Sequence, residues 1–259
     1  VSAEIVRARV LEHLGRLRLG RIAEKLDALL SDAARGEPTY LDFLDAILRE
    51  EVGAKQRKRV AMGITIAHFP TVKTLDDFEF KFQPSVDQKL VRELAVGRYV
   101  ANAENVLLFG PPGVGKTHLA IGLGRAAVEA GYSVLFTSAT ALLGALSKAE
   151  TEGQLAERLA FYAKPKLLIV DELGYLPFEK RSAHLFFQLV ARRYEKGSML
   201  ITTNQLVTQW GTVFGDEVLA AAILDRLLHH SFTLMIQGES YRLKQKRKAG
   251  LLGRSEKAN

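Results

Sequence analysis

The chain has 259 residues, no cysteine, 47% apolar residues and 36 Lys+Arg against 29 Asp+Glu, a formal net charge of +7. These figures exclude a disulfide scaffold, a thiolate metal site and a disordered or fibrous chain, and they fit one full-sized domain with an appended piece. With no run of eighteen apolar residues and Arg and Glu mixed through Val1–Leu30, the expectation is a cytoplasmic protein without membrane association. The charge is unevenly placed. Residues 242–259 hold seven basic side chains against one acidic, and a second cluster lies at Lys55, Arg57, Lys58 and Arg59. Both suit a polyanion, although terminal basic runs also serve solubility alone.

In chain order, Ile5, Val6, Val10, Leu14, Leu17, Ile22, Leu26 and Leu29 recur at helical spacing, broken by Gly15 and Gly20, which predicts two short helices or one kinked helix. Thr39 with Asp42 three residues on, just after Pro38, is a capping signal. It opens a helix with the apolar stripe Leu41, Leu44, Ile47, Leu48 and Val52. Residues 1–67 are thus expected to form a small helical domain, and its Lys55–Arg59 cluster makes it a candidate for polyanion contacts. From His68 to Pro84 the pattern becomes aromatic and Pro-punctuated, with Phe69, Phe78, Phe80 and Phe82, and residues 68–84 are expected as a linker.

Beyond Pro84, strand-length apolar runs at Asn105–Phe109, Ser133–Thr137, Leu167–Asp171, Met199–Thr203 and Thr233–Ile236 alternate with amphipathic segments. This alternation predicts an α/β domain over 85–241, with a mostly parallel sheet flanked by helices, followed by a basic tail over 242–259.

Gly110-Pro111-Pro112-Gly113-Val114-Gly115-Lys116-Thr117 fits the P-loop pattern, entered by the strand Asn-Val-Leu-Leu-Phe and left by a predicted helix through Ala130. Its glycines let backbone N–H groups converge on phosphate oxygens at a helix N-terminus. Lys116 is the residue to reach the β and γ phosphates, Thr117 offers a hydroxyl to Mg²⁺, and His118 follows directly as a further candidate nucleotide contact. The expected nucleotide is ATP. Some fifty residues on, the apolar strand from Leu167 ends in Asp171-Glu172. Asp171 is placed to reach the metal together with Thr117, and Glu172 to polarise an attacking water.

Asn204, at the exit of the Met199–Thr203 strand, is a candidate to hold that water, though Asn is also a common turn residue there. Arg226, in a helical pattern over Val218–His229, and Arg242, after the last strand, are candidates to stabilise transition-state charge; surface ion pairing is the commoner role of a helical Arg. His229-His230 lack a Cys or HExxH partner in sequence and read as surface or capping histidines. Trp210 and the phenylalanines at 78, 80 and 82 read as core and interdomain packing.

Several strings together resemble the IstB family: Gly110–Thr117, Asp171-Glu172-Leu173-Gly174-Tyr175-Leu176-Pro177, Thr202-Thr203-Asn204, Leu224-Asp225-Arg226-Leu227-Leu228-His229-His230 and Ser240-Tyr241-Arg242-Leu243-Lys244. Members are AAA+ P-loop ATPase helpers encoded beside the transposase of bacterial insertion sequences, and the DnaC helicase loader is a relative. The resemblance covers nearly the whole chain. It implies that Asn204 stands at the sensor I position and Arg226 at the arginine-finger position, acting on ATP held by a neighbouring subunit of a homo-oligomer. It also implies a duplex-DNA partner that the oligomer deforms, and a partner transposase encoded by the same element. Lys55, Arg57, Lys58, Arg59, Lys244, Lys246, Arg247 and Lys248 are the candidate DNA contacts. No C-terminal helical lid is expected, since residues 227–259 are few for one, and a lid-borne sensor role is not expected of Arg242. A DnaC-like helicase loader and an ATP-switched binding module with incidental hydrolysis are the competing functions.

Overall fold

The apolar runs form five strands, β1 (Asn105–Phe109), β2 (Val134–Ser138), β3 (Leu167–Leu173), β4 (Ser198–Thr203) and β5 (Ser231–Met235). In the computed structural model, which describes residues 2–175, 178–241 and 243–244, every pairing between them is parallel and their order is β2-β3-β4-β1-β5. Every residue of β1 and β4 is buried, as expected of central strands covered on both faces. Their central apolar runs, Val106–Phe109 and Met199–Ile201, follow from that double covering.

Three helices come first: α1 (Ala3–Arg16), α2 (Gly20–Gly36) and α3 (Tyr40–Ala67). Gly15 lies inside α1, and the break falls at residues 17–19, where Arg18 adopts a positive φ of 56°. The cap expected before α3 forms, with the Asp42 N–H donating to Thr39 Oγ1 at 3.2 Å. The chain divides into two compact units between Met62 and Gly63. Within the first, Ile22 and Leu26 are buried, and the buried Glu51 carboxylate accepts from the Arg21 and Ile22 N–H groups at 2.9 and 3.1 Å, capping the start of α2. The stripe anticipated on the first half of α3 stays largely exposed at Leu41, Leu44, Leu48 and Val52.

The second unit adds α4 (Gln88–Ala95), α5 (Arg98–Ala101), α6 (Lys116–Glu129), α7 (Ala139–Thr151), α8 (Leu155–Ala163), α9 (Lys180–Arg193), α10 (Trp210–Phe214) and α11 (Glu217–Leu228). Alternation along β3 sorts them. Leu168 and Val170 join the cluster built from α7 to α11, including Leu146, Phe186, Trp210, Phe214 and Ile223. Ile169 points to the other face and meets α6 so closely that a Cβ on Gly124 would lie 2.6 Å from its Cδ1.

Residues 68–84, expected as a linker, belong to this second unit. Phe69 stands edge-on to Phe136 at 6.2 Å, and Leu75 fills the space that a side chain at Gly122 would need. Their aromatic content is used in packing on α6 and β2, which a solvated linker would not require.

Two buried polar side chains join turns at the N-terminal edge of the sheet. Asn105 donates Nδ2–H to Leu227 O at 3.0 Å and accepts the Met199 N–H at 2.8 Å. Arg193, 2% exposed, donates to the carbonyls of Tyr162, Ala163, Pro165, Lys166 and Ser198. Burial lowers its pKa to about 10. No helix among the described residues is long and apolar enough to cross a membrane.

Candidate active site

The glycine-rich segment joins β1 to α6 at the C-terminal edge of the sheet, where open α/β sheets place their ligands. Its backbone uses conformations closed to most side chains: φ is +83° at Gly113 and +103° at Gly115, the residue capping α6. Space demands glycine as well. A Cβ on Gly110 would come 2.3 Å from Ile236 O, one on Gly113 would come 2.1 Å from Ser240 Oγ, and one on Gly115 would come 2.7 Å from the Phe78 ring. The loop is therefore enclosed by β5's exit and by the 68–84 segment as well as by its own turn.

Lys116 is buried, with its ammonium donating to Gly110 O at 2.6 Å and Pro111 O at 2.8 Å, which curls the side chain back over the loop. Thr117 Oγ1 lies 3.0 Å from both Asp171 carboxylate oxygens, joining the first turn of α6 to the end of β3. Asp171 is also buried. A hydroxyl and a carboxylate at this separation form a hard, oxygen-only donor set, which fits Mg²⁺ better than a softer ion.

Simple alternation would send Asp171 and Glu172 to opposite faces of the sheet. Instead β3 bulges: Val170 pairs with Ile201 and Leu173 with Thr203, so Asp171 and Glu172 together stand against Thr202. Glu172 takes a positive φ of 62° and is exposed, lining the same cleft as Lys116 and Thr117. Thr202, fully buried, fixes the bulge. Its hydroxyl donates to Asp171 Oδ1 at 2.5 Å and accepts the Glu172 N–H at 2.9 Å. In the sequence Thr202 stands out only as part of the Thr202-Thr203-Asn204 string, with no role of its own, because its role depends on the bulge.

The cleft has a volume of about 670 Å³. Gly113, Val114, Gly115, Lys116, Thr117 and His118 line it, facing Phe78, Phe82, Gln83 and Tyr241. Phe78 and Phe82, anticipated as packing residues, thus also form its wall. His118 meets the 68–84 segment through Nε2, 2.7 Å from Thr74 O, and stands edge-on to Phe78. Asp77, another lining residue, has its carboxyl held below the usual range by the Thr74 hydroxyl. Gln83, 2% exposed, donates Nε2–H to Glu239 O at 3.1 Å, and its Oε1 finds no partner among the described residues.

The segment after β5 straps the loop. The Tyr241 N–H donates to Gly113 O at 3.0 Å and the Tyr241 hydroxyl to Glu79 at 2.8 Å. Lys244, anticipated as a DNA contact, lies 3.8 Å over the Phe82 ring and 3.6 Å from Glu79. Arg242, Lys246, Arg247 and Lys248 lie outside the described residues.

Asn204 follows β4 directly, and its Oδ1 is buried without a hydrogen-bond partner among the described residues. Arg226 is not among the residues lining the cleft. Its guanidinium caps Ala222 O at 2.8 Å and stacks 4.9 Å over the Phe187 ring of α9. Lys55, Arg57, Lys58 and Arg59 are exposed on α3, in the other unit.

A solved DnaC helicase loader shares this fold, with a TM-score of 0.51 at 22% identity over 63% of this chain and 96% of that one. A Pseudomonas aeruginosa protein named for insertion sequence IS21 and for ATP binding is 50% identical over 239 residues, 92% of this chain and 90% of the relative. A Geobacillus stearothermophilus protein named likewise for insertion sequence IS5376 is 43% identical over 93% of this chain and 96% of its own length. The family model described as IstB-like ATP binding protein matches residues 12–249, and the chain belongs to that family.

Proposed function

We propose that this protein is an ATP-hydrolysing, duplex-DNA-binding transposition helper that assembles into an oligomer on its target, deforms it and recruits or stimulates a partner transposase. The observation that carries the reading is the bulge in β3, which sets Asp171 beside Thr117 and Glu172 in the cleft shared with Lys116. A site for binding alone needs Lys116 and Thr117. A second carboxylate in the cleft, held by a strained backbone, is what water activation requires. The names of the relatives supply the insertion-sequence setting.

In this reading the loop N–H groups and Lys116 hold the phosphates, and Phe78, Phe82 and Tyr241 offer ring surface to the adenine. Thr117 and Asp171 would hold Mg²⁺, which neutralises charge on the phosphate oxygens when bound. Glu172 orients and deprotonates the water, with Asn204 as its neutral partner; the orphaned Oδ1 supports that assignment. Arg226 acts on ATP held by a neighbouring copy, supported by its absence from its own cleft. The exposed cationic residues of α3 would contact DNA phosphates, giving strong salt dependence and little base preference. DNA bending costs several kcal/mol, which many such contacts along an assembly would offset.

The test is fluorescence anisotropy on duplex and single-stranded DNA of equal length, at one stated salt, with ADP or a slowly hydrolysed ATP analogue. Duplex preference that develops only with the analogue is the expected result, together with a Glu172→Gln variant that binds ATP, stops turning over and stays on DNA. Preference for single strands would move the function to helicase loading. No DNA binding, with nucleotide-driven assembly intact, would leave an ATP-switched binding module.

A further inference from the structure

At the edge of the sheet opposite the nucleotide cleft, two turns that are distant in sequence bring together the side chains of Glu195, His229 and His230. One donor atom from each lies within 4.8 Å of the other two. The sequence conceals this group, since Glu195 precedes the histidines by more than thirty residues and stands in the α9–β4 connection, while the histidines form the α11–β5 connection.

The backbone of the two histidines is tied to its neighbours on both sides. His229 N–H donates to Asp225 O at 3.1 Å, and His230 O accepts the Asn105 N–H at 2.8 Å. The Asn105 amide then bonds the last turn of α11 through Leu227 O and the start of β4 through the Met199 N–H, so one buried side chain joins the elements that flank both connections. From inside, Arg193 grips Ser198 O at 2.7 Å. Glu195 itself holds a positive φ of 56°, a conformation uncommon for a residue with a side chain.

The side chains are arranged for ligation. His230 Nε2 is 3.9 Å from Glu195 Oε1, and the two imidazole rings lie 4.1 Å apart. The Tyr194 hydroxyl is 2.8 Å from His229 Nδ1 and orients that ring, an oxygen standing where a ligating imidazole more often has a carboxylate, carbonyl or water behind it. A tetrahedral zinc takes imidazole nitrogen and carboxylate oxygen at about 2.0–2.2 Å, which separates neighbouring donors by roughly 3.3 Å. Small rotations of exposed side chains about a rigid backbone close the remaining gap. Two imidazoles with one carboxylate select zinc over magnesium or calcium, whose ligands are oxygen alone.

We infer that Glu195, His229 and His230 form a zinc-binding site at the N-terminal edge of the sheet, with a water completing the coordination. Strands of five residues span about 16 Å, so the site is separate from the oxygen-only donors Thr117 and Asp171. It lies one helical turn beyond Arg226, at the end of α11.

The experiment is zinc titration of the full, EDTA-stripped chain against a chromogenic chelator, with Mg²⁺ in large excess to keep Thr117 and Asp171 from competing. One zinc per chain is expected, bound in the micromolar range. Glu195→Gln, His229→Gln and His230→Gln should each weaken it at least tenfold, Tyr194→Phe less, and His184→Gln, an exposed histidine elsewhere on α9, not at all. X-ray absorption on the unaltered zinc-loaded chain gives a readout independent of any variant, with two imidazoles and oxygen in the first coordination sphere. Affinity weaker than about 100 μM, unchanged affinity in all three ligand variants, or a sphere without imidazole would overturn the site.

Discussion

Replacing Thr202 by valine keeps its shape and removes one oxygen, which makes it a sharp test of the bulge. Two hydrogen bonds disappear: the short one donated to Asp171 and the one accepted from the Glu172 N–H. A hydrogen bond to a charged carboxylate contributes about 1.5–3 kcal/mol, and an N–H left without a partner costs about 1–3 kcal/mol. Because the cleft is open beside Glu172, water relieves part of the second figure, and a net loss of about 2–4 kcal/mol is expected. Thr202→Ser retains both bonds and loses one buried methyl, about 1 kcal/mol. Urea unfolding should therefore show a lower midpoint for valine than for serine, at an unchanged slope. ATP turnover separates the two further. With Asp171 and Glu172 loosened, the valine variant should fall at least tenfold, whereas serine stays close to the parent. A valine variant within about 0.5 kcal/mol of the parent, or a serine variant that falls as far as valine, would refute the assignment of Thr202 as the residue that holds the Asp171 carboxylate and the Glu172 backbone.

Two further substitutions probe the frame around the site. Arg193→Met fills most of the volume but withdraws the donor from five carbonyls, of which Lys166 O keeps the Ser198 N–H. A loss of about 3–5 kcal/mol in urea unfolding is expected, and a loss under about 1 kcal/mol would show that water replaces the guanidinium. Gly113→Ala places its Cβ on Ser240 Oγ and holds a side chain at φ +83°, so nucleotide affinity should fall at least tenfold. Adding Ser240→Gly should restore part of it; no recovery in the double variant would mean that backbone strain, not the strap, accounts for the effect.

The parts of the fold visible in the sequence are those with a local cause. Parallel strands buried on both faces carry apolar runs, and so Val106–Phe109 in β1 and Met199–Ile201 in β4 were legible. The P-loop was legible because its chemistry needs glycine at fixed spacing between a strand and a helix. The 68–84 segment misled for a matching reason. Its aromatic residues lack helical or strand period, and only the position of α6 shows that Phe69, Leu75 and Phe78 fit against Phe136, Gly122 and Gly115.

What the sequence concealed depends on register. An Asp-Glu pair at a strand end tells a reader that two carboxylates are adjacent, and the ordinary pleat then separates them. One extra residue in β3, stabilised by a hydroxyl near the end of the next strand, thirty residues on, reverses that consequence and leaves Glu172 in the cleft. The Glu195, His229 and His230 group arises in the same way at the other edge, where Asn105 joins two turns that share no local pattern. In both cases the deciding residue is a buried polar side chain inside an otherwise apolar sheet. Burying Thr202 or Asn105 is tolerable only with every hydrogen bond made, and each makes its bonds across strands that are far apart in sequence. A buried polar residue in a run of apolar ones is therefore the point at which a one-dimensional pattern states that a three-dimensional contact exists while leaving its partner unnamed.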